Sequence, residues 1–339
     1  MARRLDYTTP DFADRFASLL ASKRESDLDV SEAVADILAD VRQHGDEALL
    51  QLTAKFDRLQ CDKVADLAIG QEEMKAALAS LDPALREALQ VAAMRIRAFH
   101  EKQLPEGFSY SDDDGVLLGM RYTPVDAAGL YVPGGKAVYP SSVLMNAIPA
   151  TVAGVDRRVV VVPAPEGFVS PMVLAAAALG GATEMWRIGG AQAVAALAYG
   201  TQTIKAVDKI VGPGNAYVAT AKRQVFGAVG IDSIAGPSEI LVIADNGNDP
   251  AWIAADLLSQ AEHDEAAQSI LITDDRDFAD AVSLAVDTTL PKLERSAVAG
   301  VSWRDNGAII TVPSLDVMPA LADQIAAEHL ELAVSNPWH

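Results

Sequence analysis

The sequence predicts an α/β fold with a mostly parallel sheet, preceded by a helical N-terminal region. Two observations carry this prediction. Hydrophobic residues recur every three or four positions before about residue 115, and short β-rich runs alternate with helical ones after it. Repeated strand–helix–strand units form parallel sheets that helices cover on both faces. In such sheets ligands bind at the carboxyl ends of the strands.

The N-terminal region contains three segments with helical periodicity, at residues 12–24, 30–56 and 72–103. Asp29 and Ser31 are the candidate caps of the second segment. The apolar positions form core-facing stripes, so we predict no functional site in this region. We expect its two histidines, His44 and His100, to be structural.

Seven apolar runs rich in β-branched residues predict the strands of the sheet. The helices between them have alanine-rich faces, as at residues 170–181 and 251–261. Residues 124–244 and 239–339 each contain enough predicted strands for a half-sheet. The predicted strands are residues 129–133, 158–165, 184–189, 208–214, 239–245, 268–273 and 307–313.

Composition and charge exclude several classes of protein. The 339-residue chain has a net charge of −20, which repels phosphate backbones and anionic lipids, so we expect neither nucleic acid nor a membrane surface as a partner. Cys61 is the single cysteine, which rules out a disulfide framework and a thiolate zinc cage. The N-terminus does not resemble a secretory signal, and no apolar run approaches the ~20 residues that span a bilayer. We therefore predict a soluble, cytoplasmic protein.

Four glycine-rich segments follow apolar runs: residues 129–135, 189–192, 212–215 and 236–239. Glycine permits tight turns and close approach of a ligand, and a helix N-terminus offers N–H groups to an anion. The dinucleotide motif G-x-G-x-x-G is absent, because Tyr217 takes its third glycine position. A single such turn is usually only a turn. Four of them, each beside a polar side chain, predict a ligand-binding edge.

Gln260 and His263 form the first candidate pair. Residues three apart share one face of a helix, and zinc accepts imidazole and, more weakly, an amide oxygen. The alternative is that both side chains are solvated or bonded to the backbone. Glu328 and His329 form the second pair, two groups that can move protons near neutral pH. On spacing alone, a helix end with an exposed acid and a capping histidine is the favoured alternative.

Several segments together resemble the histidinol dehydrogenase family. They are LYVPGG, VLMNAIPATVAG, GGAQAVAALAYGT, VDKIVGPGNAYVATAKR, AGPSEILVIAD, DLLSQAEHD and AEHLEL, in this order. The resemblance runs from about residue 5 to about residue 335. It implies two incomplete Rossmann-like, doubly wound α/β domains with a helical N-terminal region. Residues 1–128 plus 239–339 would carry the zinc, substrate and base residues, and residues 129–238 would carry the NAD contacts.

The resemblance also implies a function and the residues that perform it. The family oxidises L-histidinol to L-histidine through L-histidinal, with two NAD per turnover and one zinc per subunit of a homodimer; this is the last step of histidine biosynthesis. Matched by position, the resemblance implies that Tyr131, Gln192 and Asn215 contact NAD and that Ser238 contacts the substrate. Gln260 and His263 would bind both zinc and substrate. Glu328 and His329 would accept protons, and His329 would also contact the substrate.

The chain departs from the family's pattern at its C-terminus. Family members continue beyond residue 339 with an aspartate and a histidine that complete the zinc sphere and a glutamate that contacts substrate. His339 is not assigned as a ligand. Two alternatives remain open: a related NAD-dependent dehydrogenase of another small polar alcohol, and an inactive fragment that binds NAD or metal.

Overall fold

The computed structural model describes residues 2–21, 30–134, 139–234 and 238–338. The helices are α1 Phe12–Ala21, α2 Ser31–His44, α3 Asp46–Asp57, α4 Gln71–Ser80, α5 Pro83–Glu101, α6 Pro140–Val152, α7 Pro171–Gly180, α8 Gly190–Tyr199, α9 Ala216–Val225, α10 Pro250–Ala261, α11 Arg276–Thr289, α12 Ser296–Asp305 and α13 Met318–Ile325. The strands are β1 Arg3–Asp6, β2 Phe108–Ser111, β3 Leu117–Met120, β4 Ala127–Tyr131, β5 Arg157–Val161, β6 Glu184–Trp186, β7 Lys209–Val211, β8 Gly230–Ile231, β9 Glu239–Ala244, β10 Gln268–Thr273, β11 Ala308–Thr311 and β12 His329–Ala333.

The chain forms two compact units, residues 27–235 and residues 1–26 with 236–339. This division differs from the predicted domains, which joined the helical region to residues 239–339. The reason is the packing of the apolar helix stripes. Val34 and Leu49 share a buried core with Leu197, and Met74 shares another with Leu144. Helices α2 to α5 therefore belong with strands β4 to β8.

The unit of residues 27–235 contains a parallel five-stranded sheet in the order β6-β5-β4-β7-β8. The first strand, β4, is central; the next two lie on one side of it and the last two on the other. The winding direction therefore reverses between β4 and β7. In doubly wound sheets, ligands bind at the carboxyl ends of the strands beside such a reversal.

The other unit repeats this arrangement. Its parallel sheet has the order β1-β11-β10-β9-β12, with the reversal between β9 and β12. The N-terminal strand β1 lies at the far edge against β11. The predicted α/β class with two half-sheets is confirmed, as are all seven predicted strands. Strands β1, β2, β3, β8 and β12 were not predicted.

The predicted helices of the N-terminal region are present but more divided than expected. Gly45, at φ +58°, separates α2 from α3 within the predicted 30–56 helix. The predicted 72–103 helix is divided into α4 and α5. Asp82 lies between them and caps α5, because its carboxylate accepts the N–H of Ala84 at 2.9 Å. Of the two candidate caps, Asp29 lies outside the described residues and Ser31 is the first residue of α2. No helix in the described ranges is long and apolar enough to cross a membrane.

Candidate functional site

A cavity of about 810 Å³ lies at the carboxyl ends of strands β4 to β7, within the unit of residues 27–235. This volume is within the range of small-molecule sites. The segments that follow all four strands line it, and helices α2 and α3 contribute further residues. The lining includes Asp36, Lys55, Phe56, Asp57, Tyr131, Pro133, Gly134, Pro163, Gly189, Gly190, Gln192, Gly214, Asn215 and Tyr217.

Tyr131 is the last residue of β4 and is buried. Its hydroxyl oxygen accepts the N–H of Gly190 at 3.0 Å, which ties the end of β4 to the start of α8. Burial raises the pKa of Tyr131 to about 12, and the nearby charge of Asp57 adds to this effect. The hydroxyl therefore stays protonated and can still donate a hydrogen bond.

Gln192 lies buried in the first turn of α8, above a tight glycine turn. Gly190 has φ +64°, and a Cβ there would come within 2.6 Å of the Gln192 Oε1. A Cβ on Gly189 would lie 2.4 Å from a carbon of Pro163, at the end of the neighbouring strand. Both glycines are thus required for this turn to form, and it places the Gln192 amide at the cavity.

Asn215 caps helix α9, with its Oδ1 accepting the N–H of Val218 at 3.2 Å. The loop before it is fixed at Gly212, whose N–H donates to Asp232 Oδ2 at 2.8 Å and whose carbonyl accepts from Lys222 Nζ at 3.0 Å. Lys222 is buried and also pairs with Asp232. This ion pair satisfies both backbone groups of Gly212 and so holds the cavity wall that contains Asn215.

The glycine segments predicted a common sheet edge, and the resemblance implied Tyr131, Gln192 and Asn215 there; the structure brings these three residues to one cavity. Sequence reasoning missed Lys222 and Asp232, because their pairing depends on where α9 lies relative to β8. The prediction that a fourth glycine segment shares this edge is wrong. Its Ser238 immediately precedes β9, at the amino edge of the other sheet, while Gly236 and Pro237 lie outside the described residues. Gly135, in the first segment, also lies outside them.

The remaining candidates lie in the other unit, around the amino ends of β9, β10 and β12. The carbonyl of Ser238 accepts the N–H of Gln268, the first residue of β10, at 3.0 Å. His329 opens β12 in register with Ile240 of the adjacent β9. Gln260 and His263 lie in the segment that leads from the end of α10 into β10. The cavity described above lies at the carboxyl ends of its strands, whereas Ser238, Gln260, His263 and His329 lie near the amino ends of theirs.

The prediction that Gln260 and His263 share a helix face is wrong. Helix α10 ends at Ala261, so Gln260 is buried in its last turn while His263 is exposed in the turn that follows. The N–H of His263 donates to the carbonyl of Gln260 at 3.1 Å, which closes that turn. The two residues are therefore linked by a helix-terminal hydrogen bond.

The alternative of a helix end at Glu328 and His329 is also wrong. Helix α13 ends at Ile325, and Ala326 takes a left-handed conformation at φ +47°. The His329 Nε2 lies 3.9 Å from the Glu328 Oε1, beyond hydrogen-bond range. The side chains are 60% and 52% exposed, respectively. Both groups are therefore accessible to a ligand, and a protonated His329 would lie within ion-pair distance of Glu328.

The donor set of these residues is small for a metal site. Zinc normally takes three or four protein ligands in a site of its own. Among the described residues, no cluster of three or more histidine, cysteine, aspartate or glutamate side chains could hold a metal ion. Gln260 and His263 supply one amide and one imidazole. These two residues alone do not complete a zinc sphere.

The two reversed parallel sheets, with a cavity at glycine turns beside one reversal, define a doubly wound α/β protein with a small-molecule cavity at the carboxyl ends of its strands. A family model described as histidinol dehydrogenase matches residues 20–339. The chain belongs to the histidinol dehydrogenase family, a family of oxidoreductases.

Individual relatives agree with this assignment. The chain is 63% identical over 338 residues to histidinol dehydrogenase of Rhodospirillum rubrum and 60% identical over 337 residues to that of Ruegeria pomeroyi. Each match covers 99% of this chain and 78% of the relative. The crystal structure of histidinol dehydrogenase from Elizabethkingia anophelis superimposes with a TM-score of 0.90 at 34% identity, covering 99% of this chain and 76% of that one.

Proposed function

We propose that this protein oxidises L-histidinol to L-histidine through L-histidinal, passing two hydrides in succession to NAD, as the last step of histidine biosynthesis. The observation that carries this proposal is the 63% identity to a histidinol dehydrogenase over 99% of the chain. Such an enzyme acts on a small molecule, in keeping with the acidic surface indicated by the net charge of −20. Cytoplasmic localisation, expected from the sequence, stays a prediction.

We assign the cavity of residues 27–235 to NAD, with Tyr131, Gln192 and Asn215 as its contacts. The Tyr131 hydroxyl is protonated and held by Gly190, and the Gln192 amide lies above a turn with no room for a Cβ. Asn215 is fixed at the start of α9. NAD supplies the hydride acceptor when bound; the chain supplies fixed polar groups that orient it.

Proton transfer is assigned to the exposed pair in the other unit. His329 takes the hydroxyl proton as the alcohol is oxidised, because an imidazole can accept a proton near neutral pH. The aldehyde must add water before a second hydride can leave, and Glu328 activates that water. Both side chains are exposed and share no hydrogen bond, so each can reach the substrate for its own step.

Substrate binding is assigned to Ser238, Gln260, His263 and His329, with zinc held by Gln260 and His263 as part of a larger ligand set. The metal would orient the amine and imidazole of the substrate. Because the described residues supply only two of its ligands, no step of the reaction is derived through it.

The homodimer implied by the resemblance is supported by the β2–β3 hairpin. This antiparallel pair exposes apolar side chains along both strands; Leu117 is 72% exposed. An isolated two-stranded hairpin is marginally stable in water, so a partner surface is needed to cover it. The exposed set is Phe108, Tyr110, Leu117, Leu118 and Met120.

Replacing both Leu117 and Leu118 with Asp is therefore expected to weaken self-association by at least roughly 100-fold, as loss of a buried interface anchor does. Sedimentation velocity over a concentration series measures this. The control is Trp252→Asp, at an equally exposed apolar residue of the other unit. Unchanged association of the hairpin variant, or equal loss in the control, would exclude the hairpin as the interface.

Gly214→Val is expected to weaken NAD binding by about tenfold or more while leaving zinc content unchanged. A Cβ at Gly214 would lie 2.4 Å from the Val218 side chain, so the start of α9 and its Asn215 cap must shift. Gly70→Val is the control, because nothing lies within 4 Å of a Cβ there. Calorimetric NAD titration and metal analysis are the measurements; loss of zinc with unchanged NAD affinity would refute the assignment.

The proposed reaction is tested by NADH formation from L-histidinol, L-histidinal and other small amino alcohols. Residues 1–339 are assayed alone and extended by the remainder of the Rhodospirillum rubrum relative. Turnover of histidinol and histidinal by the extended chain supports the proposal. Turnover of another alcohol but not histidinol would indicate a related dehydrogenase, and NAD or metal binding without turnover of any substrate would indicate a non-catalytic protein.

A further inference from the structure

Asp57, the last residue of α3, is a buried carboxylate whose bonding is incomplete. It is 5% exposed, and its Oδ2 has no hydrogen-bond partner. Several other buried polar atoms in the described ranges also lack partners, but Asp57 is the one such residue that lines the cavity. Burial raises the pKa of Asp57, because a desolvated carboxylate with few donors is poorly stabilised as an anion.

The position of Asp57 relative to the sheet suggests which donors it takes. Helix α3 packs against the short helical turn Pro165–Gly167 after β5, and the nearby backbone N–H of Ala164 partly offsets the rise in the pKa of Asp57. In dinucleotide-binding folds, an acidic residue beside the second strand of the βαβ unit accepts the ribose hydroxyls of NAD. Here β5 is that second strand, yet residues 162–164 after it are Val, Pro and Ala. The carboxylate at this place comes instead from α3, which sequence motifs do not reveal.

We propose that Asp57 accepts hydrogen bonds from the ribose hydroxyls of the adenosine half of NAD and thereby disfavours a cofactor with a 2′-phosphate. This inference rests on the proposed function of the cavity as an NAD site. Hydroxyl donors would complete the bonding of Oδ2, whereas a phosphate has no donor to offer and brings like charge to a desolvated carboxylate.

The test is Asp57→Asn in the full 339-residue chain. Asparagine keeps the shape and one acceptor oxygen, but it replaces the Oδ2 acceptor with a donor. Calorimetric titrations with NAD, NADP and the 2′-deoxyadenosine analogue of NAD are compared with those of the unmodified chain. We expect NAD affinity to fall on the order of tenfold, as for loss of a hydrogen bond to a charged group. Affinity for the deoxy analogue should fall far less, and the preference for NAD over NADP should shrink.

Asp62→Asn is the matched control, since Asp62 belongs to the same unit and is exposed but does not line the cavity. Thermal unfolding of both variants separates binding from stability: the proposal predicts an Asp57→Asn variant at least as stable as the parent, because a buried carboxylate is replaced by a neutral amide. Equal losses for NAD and the deoxy analogue, or an unchanged NAD affinity, would overturn the role of Asp57. An unmodified chain that binds none of the three would overturn the NAD site itself.

Discussion

Replacing His329 with Asn is expected to suppress oxidation of both the alcohol and the aldehyde by roughly 10²- to 10⁴-fold, the usual contribution of a positioned acid or base. Each hydride transfer starts from a hydroxyl, first that of histidinol and then that of the hydrated aldehyde, so both steps need a proton acceptor. His329 is available for this task, because it is exposed at the start of β12 and lies 3.9 Å from Glu328.

Glu328→Gln should slow the aldehyde step more than the alcohol step, since only that step needs an activated water. Glu331→Gln, three residues further along and within β12, is the matched control. Burial and the neighbouring Asp256 raise the pKa of Glu331, so the neutral replacement should be well tolerated. Pre-steady-state NADH formation from L-histidinol and from L-histidinal, in the extended chain, separates the steps. Equal slowing of both oxidations by Glu328→Gln would show that this division of labour is wrong.

The second large effect concerns zinc. Residues 1–339 are expected to lose zinc on dialysis and to turn over little or no histidinol, because Gln260 and His263 provide only part of a ligand set. Extension by the remainder of the Rhodospirillum rubrum relative, in cis or as a separate chain, should restore both zinc and activity. Metal analysis after dialysis against a weak chelator gives the zinc stoichiometry.

Two variants of the extended chain sharpen this test. His263→Asn should abolish zinc retention, whereas His100→Asn should not, because His100 bonds Gln103 at the end of α5 in the other unit. One tightly held zinc per chain in residues 1–339, with ordinary turnover, would show that two ligands and water are enough.

The predicted fold depends on signals that differ between central and edge strands. Central strands such as β5 and β10 are continuous apolar runs and were predicted. The edge strands β1 (RRLD) and β12 (HLELA) contain charged residues and expose part of their length, so neither apolar-run nor helix criteria identify them. The β2–β3 hairpin exposes every residue and has no buried face to give an alternating pattern.

The residues of the candidate site also differ in how far local sequence signals identify them. Glycine turns after strands mark the segments that contain Tyr131, Gln192 and Asn215, because the chemistry of these turns is local; the resemblance to histidinol dehydrogenases then singles out the three residues. Asp57 lines the cavity from a helix far from the cavity's other walls in sequence, and the Lys222–Asp232 pair depends on how α9 packs beside β8; a single sequence encodes neither as a motif. The end of α10 was missed because no glycine follows it, and Ala326 after α13 takes a left-handed conformation usually left to glycine.

The NADH formed per L-histidinol consumed, with the product identified by mass, tests the proposed reaction most directly. The extended chain is incubated with limiting histidinol and excess NAD until absorbance is constant. The proposal predicts two NADH and one L-histidine for each histidinol. One NADH with accumulated L-histidinal, or no NADH from a chain shown to bind both NAD and zinc, would contradict it.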